Sequence, residues 1–123
     1  MILEQKIWKK GIKEYCTQNK MELTDYNFDQ EVYQSDIPVF VDFWASWCPP
    51  CKMMEPVINS LEKEYEGRVK VCKINIDKNK IAASKFDIKG VPLFILFQNG
   101  KIIDQAVAAK TEDQLKEMIN KVL

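Results

Sequence analysis

At 123 residues, 46% hydrophobic and 29% charged, the chain is long enough for one domain with a real core and too short for two. Eighteen basic residues balance eighteen acidic ones, which argues against nucleic acid or an anionic membrane as the main partner, and no apolar run is long enough to span a bilayer. No histidine occurs, which removes Cys–His and Ser–His catalysis and the usual histidine-containing metal sites, so no metal is expected.

The opening MILEQKIWKK lacks the apolar core and small-residue cleavage site of a signal peptide, so a cytoplasmic, reducing location is expected. Residues 1–20 read as an N-terminal extension to a domain covering 21–123. Leu3, Ile7, Trp8, Ile12, Tyr15 and Cys16 of this extension can form one face of a helix, which Gly11 weakens by about 1 kcal/mol. Cys16 reads as a plain thiol. MEL predicts a short strand, and TDYNFDQEV a capped helix with Phe28 and Val32 on one face. PVFVDFWA is nearly continuous in apolar residues, the pattern of a strand buried on both faces.

From Pro49 to about Tyr65, Met53, Met54, Val57, Ile58 and Leu61 recur at helical spacing, with a kink expected at Pro56. Met53 is assigned to the core and Met54 to the helix surface. RVKVCKINID predicts a strand with Cys72 turned into the core, and IAASKF a short helix. LFILFQNGKIID predicts a hairpin turning at Asn-Gly. TEDQLKEMINKVL predicts a helix opened by a capping box, Thr111 with Gln114, and carrying Leu115, Met118, Ile119 and Val122 on one face. The order implies an α/β fold: a central mixed β-sheet, parallel at its centre with an antiparallel hairpin edge, flanked by helices on both faces. Reactive sites in such sheets lie beyond the carboxyl end of a central strand, where Cys48 falls.

Cys48-Pro-Pro-Cys51 is the chemistry-bearing motif. With Cys48 as N-cap, Pro49 and Pro50 occupy the first two helical positions, where a missing N–H costs little. The Cys51 N–H is then free to point at the Cys48 sulfur and, with the positive end of the helix dipole, favours thiolate there. Cys51, inside the first turn, is expected to be the less accessible thiol. A bridge across so short a loop contributes little stability, which suits a reversible redox role better than a structural one. Half of a zinc site, a four-cysteine cluster and two inert cysteines are the weaker alternatives, since neither Cys16 nor Cys72 has a close companion in sequence. Asp42 interrupts an apolar strand and is either buried with a raised pKa or turned outward at an edge.

FWASWCPPCK, followed by Pro56, KINID, KGVPLFILFQNGK and a C-terminal amphipathic helix, resembles thioredoxin from about Leu23 to Leu123. The resemblance implies a thioredoxin fold, reduction of disulfides in protein substrates, and regeneration by a flavin-dependent thioredoxin reductase using NADPH, with no cofactor beyond the redox-active disulfide itself. It makes Cys48 the attacking cysteine, Cys51 the resolving one, Asp42 the buried acid that helps deprotonate it, and Lys73 the lysine paired with that acid. Pro92 matches a cis-proline against the disulfide, Val91 a backbone contact for substrate, Trp47 the flanking tryptophan and Gly90 the glycine before that loop; Trp44 reads as core. A monomer is expected. Three positions depart from the family pattern and are assigned to the substrate face: Pro49-Pro50 in place of Gly-Pro, Leu93 in place of threonine, and Ala108 in place of glycine. Beside a general protein-disulfide reductase, a redox protein dedicated to one partner and a non-catalytic interaction module remain open.

Overall fold

The structure, a computed structural model, describes residues 21–123. The expected helical face of residues 1–20 and Cys16 lie outside the described residues. Five strands, β1 (Met21–Leu23), β2 (Val39–Trp44), β3 (Lys70–Asn75), β4 (Leu93–Gln98) and β5 (Lys101–Val107), form one sheet in the order β1-β3-β2-β4-β5. Helices α1 (Asp29–Tyr33), α2 (Pro49–Met53), α3 (Glu55–Glu64), α4 (Lys80–Ala83) and α5 (Glu112–Ile119) connect and cover them. β1, β3 and β2 run parallel, whereas β4 is antiparallel to both β2 and β5. The antiparallel part is therefore wider than a hairpin edge, because β4 lies inside the sheet against the central strand.

Side-chain alternation explains the continuous apolar runs. Val39, Val41 and Phe43 of β2 join Ile74, Leu93, Ile95 and Phe97 on one face, closed by Phe28, Val32 and Ala82 of the α1 and α4 side. Phe40 joins Val71, Phe94 and Leu96 on the other, beneath Ile58 and Leu61 of α3 and Leu115, Met118 and Ile119 of α5. A sheet covered on both sides needs apolar residues at both parities. Cys72 is 1% exposed and belongs to the first face.

α1 is a widened, π-type turn of helix, and the capping residue upstream is Thr24, whose Oγ1 accepts from the N–H groups of Tyr26 and Asn27. The helix after Cys48 breaks between α2 and α3, where Pro56 has no N–H to continue the ladder. Met54 at the break is 3% exposed and Met53 is 73% exposed, the reverse of the expected assignment. Met54, Ile58 and Leu61 are the i, i+4, i+7 stripe that α3 turns to the sheet. The β4–β5 hairpin turns at Asn99 (φ 54°) and Gly100 (φ 77°), the left-handed pair of a type I′ turn. At α5 the capping box forms in both directions, Gln114 N–H to Thr111 Oγ1 at 3.1 Å and Thr111 N–H to Gln114 Oε1 at 2.9 Å. Among the described residues no helix is long and apolar enough to cross a membrane.

Candidate active site

β2 ends at Trp44, and the chain turns through Ala45 and Ser46 to Cys48, which caps α2 in an extended conformation (φ −106°, ψ 103°). Pro49 and Pro50 fill the first two positions of the helix, and the Cys51 N–H donates to Cys48 Sγ at 3.2 Å. Cys48 and Cys51 are joined as a disulfide, with their Cα atoms 5.3 Å apart. In this oxidised form burial does not separate them, at 2% and 4% exposed, contrary to the expected difference in access. Their surroundings do separate them. Cys48 Sγ receives the helix N–H and lies 3.6 Å from the Val91 carbonyl oxygen, whereas Cys51 lines a pocket behind the disulfide.

That pocket, about 280 Å³, is lined by Asp42, Trp44, Ser46, Cys51, Lys52, Glu55 and Lys73. Asp42 is 3% exposed and its Oδ1 has no hydrogen-bond partner. Burial pushes its pKa up to about 7; Lys73 opposes that rise, while Glu22 and Glu55 add to it. Asp42 is thus the buried form of the two open alternatives. Lys73 lies beside Asp42 in strand register, but its ion pair is with Glu55 Oε2, at 3.5 Å, and its ammonium stands 4.7 Å over the Trp44 ring. Instead of the expected ion pair with Asp42, a hydrated carboxylate and an aromatic face share the lysine's charge, which still acts on Asp42 at longer range. Trp44 is correspondingly half-buried rather than core, with its indole N–H on Glu22 Oε2 at 3.3 Å.

On the opposite side of the disulfide the Val91–Pro92 peptide bond is cis, the isomer that the resemblance implies. Val91 packs against the cysteine pair, and the Ala108 N–H donates to the Pro92 carbonyl at 2.8 Å. Ala108 is exposed and has φ 76°, a left-handed backbone that favours glycine. A side chain at Gly90 meets only Val107 Cγ2, at 3.6 Å, so space does not require glycine there. Trp47 is 65% exposed and its indole N–H donates to Asp77 Oδ2 at 2.8 Å. Pro49 and Pro50 are exposed beside it. Leu93 is not on this surface: its side chain belongs to the core with Ile95 and Phe97, as the parity of β4 requires. Glu22, Glu55 and Asp77, which hold Trp44, Lys73 and Trp47, carried no signal in the sequence beyond their charge. Among the described residues no group of acidic or cysteine side chains is placed to hold a metal ion.

Comparison with known proteins agrees with this geometry. The thioredoxin family model matches residues 19–121. The chain is 46% identical to a thioredoxin of Rickettsia felis over 99 residues, 80% of this chain and 94% of that protein. It is 42% identical to thioredoxin 1 of a Nostoc species over 102 residues, covering 83% and 95%. To a thioredoxin of Pseudomonas aeruginosa it is 40% identical over 100 residues, covering 81% and 93%. Shared sequence across nearly the whole of such proteins, on a mixed five-stranded sheet with a Cys-x-x-Cys pair at the start of the helix after β2, makes this chain a member of the thioredoxin family and a thiol–disulfide oxidoreductase that reduces protein disulfides.

Proposed function

We propose that reduction proceeds by two exchanges in which Cys48 attacks and Cys51 resolves. The Cys48 thiolate attacks one sulfur of a substrate disulfide, forming a mixed disulfide and releasing the other substrate sulfur as thiolate. Cys51 then attacks Cys48 Sγ, the bond to substrate breaks, and the second substrate thiolate leaves. Two electrons have passed to the substrate, and the protein holds the Cys48–Cys51 disulfide. The observation that carries this assignment is the Cys51 N–H directed at Cys48 Sγ at 3.2 Å, which stabilises negative charge on that sulfur alone.

Asp42, across the pocket from solvent and near neutrality in proton affinity, takes the proton from Cys51 as it attacks. Lys73 moderates that affinity. Val91, Pro92, Ala108, Trp47, Pro49 and Pro50 form the face that receives the substrate chain: Trp47, Pro49, Pro50 and Ala108 are exposed, Val91 is half-buried and Pro92 buried, around a sulfur flanked by a backbone carbonyl. The protein acts as a cytoplasmic monomer whose disulfide is returned to the dithiol by a flavin-dependent thioredoxin reductase using NADPH. Residues 1–20 are an N-terminal extension to the thioredoxin domain of residues 21–123.

Insulin reduction tests the assignment. Cys48→Ser abolishes turnover, and Cys51→Ser accumulates a covalent mixed disulfide because only resolution is lost. Trapping through Cys51 in the Cys48→Ser variant reverses the roles. A second reading, a reductant dedicated to one partner, is favoured by the methyl group that Ala108 places on the substrate loop. Turnover with dithiothreitol but none with NADPH and thioredoxin reductase supports it.

A further inference from the structure

We propose that Glu55 is a positioning residue for the resolving step: by holding the Lys73 ammonium it keeps that cation from pairing with Asp42 and leaves Asp42 to take the proton from Cys51. The inference rests on the reading of Asp42 as proton acceptor for Cys51. Four facts of geometry support it. Lys73 is adjacent to Asp42 on the neighbouring parallel strand, so its ammonium is the natural partner of that acid. Its ion pair is nevertheless with Glu55 Oε2, at 3.5 Å, on the first turn of α3. Trp44, under the same ammonium at 4.7 Å, is itself held by Glu22. Asp42 Oδ1 is consequently buried with no hydrogen-bond partner.

The charged and titratable groups facing Asp42 are Glu22 from β1, Lys73 from β3, Cys51 and Lys52 from α2 and Glu55 from α3; the β4 neighbour in register is Phe94. Glu55 acts on Asp42 twice in the same direction, through its own negative charge and by occupying the cation. Without it, Lys73 is free to turn to Asp42 and stabilise the carboxylate. During resolution the Cys51 proton passes to Asp42, the new bond joins Cys51 Sγ to Cys48 Sγ, and the substrate sulfur leaves with the electron pair. The pH at which Asp42 becomes the ionised acceptor therefore sets where this step accelerates.

The test uses stopped-flow reaction of the reduced protein, in excess, with dithiobis(nitrobenzoate), whose released thiolate is yellow. The first release reports attack by Cys48 and the second reports resolution. In Glu55→Gln the midpoint of the second phase moves to lower pH by about half a unit, a roughly threefold change in proton affinity, together with the Asp42 carboxyl titration followed by carbon NMR. In Asp42→Asn that inflection disappears, and adding Glu55→Gln changes nothing more. An unshifted midpoint in Glu55→Gln overturns the inference about Glu55. If Asp42→Asn has meanwhile lost the inflection, the role of Asp42 stands; if it keeps it, that role falls as well.

Discussion

The environment of Asp42 makes stability depend on pH. A carboxyl group with a pKa of about 7 in the fold and 3.8 as its ordinary value binds more protons folded than unfolded between those limits. The sign follows: the penalty is absent below about pH 4, grows as pH rises through the folded pKa, and is complete above it, where it amounts to roughly 4 kcal/mol at most. Asp42→Asn, which cannot ionise, gains little at pH 4 and gains several kcal/mol at pH 8, read from urea unfolding at the two pH values. An equal effect at both would mean that the carboxylate is not held against its charge. Ala108 carries backbone strain of its own, with φ at 76° outside a hairpin turn. Left-handed backbone at a non-glycine residue costs about 1–2 kcal/mol, and glycine returns about 0.4–1 kcal/mol of that through a freer unfolded chain. Ala108→Gly therefore raises stability by up to about 1 kcal/mol, and it gives substrate backbone closer access to Pro92. A fall in melting temperature would show that the methyl group has a packing role.

At the scale of the element, the start of α2 decides the redox behaviour. Pro49 and Pro50 sacrifice no hydrogen bond at the first two helical positions, so their effect is on chain freedom. They restrict the open dithiol form more than the already closed disulfide. Replacing a compatible proline is typically worth about 0.4–1 kcal/mol by this route, so Pro49→Gly raises the reduction potential by roughly 10–20 mV. The Cys51 N–H is untouched, and the Cys48 pKa stays where it was. Titration against glutathione reads the first, thiolate absorbance the second, and a lower potential or a pKa change of a full unit contradicts the entropic explanation. This element was legible in the sequence because everything it uses lies within four residues: a cap, two prolines and one N–H. The hairpin at Asn99-Gly100 and the Thr111–Gln114 box were legible for the same reason. The place of β4 beside β2 was not, since strand order depends on how the connection before it returns across the sheet. Nor was the Lys73–Glu55 pair, whose members are 18 positions apart on different elements. Met53 and Leu93 were misplaced although the α3 stripe and the parity of β4 already contained the answer.

For the whole molecule, a sheet covered on both faces leaves its carboxyl end as the place where β2, the α2 cap and the loop before β4 converge. Charge on that convergence is divided: a helix N–H and an adjacent carbonyl at Cys48, a buried acid and a displaced lysine behind Cys51. On the proposed mechanism this concentrates thiolate character on one of two sulfurs that are otherwise equally buried when joined. The direct measurement is alkylation of the fully reduced protein with iodoacetamide between pH 6 and 7, with the modified cysteine identified by peptide mass. Cys48 takes the label well before Cys51, at a pH where an ordinary thiol, with a pKa of about 8.5, is mostly protonated. Labelling of Cys51 first, or of both at one rate, would contradict the central claim that the helix start makes Cys48 the nucleophile.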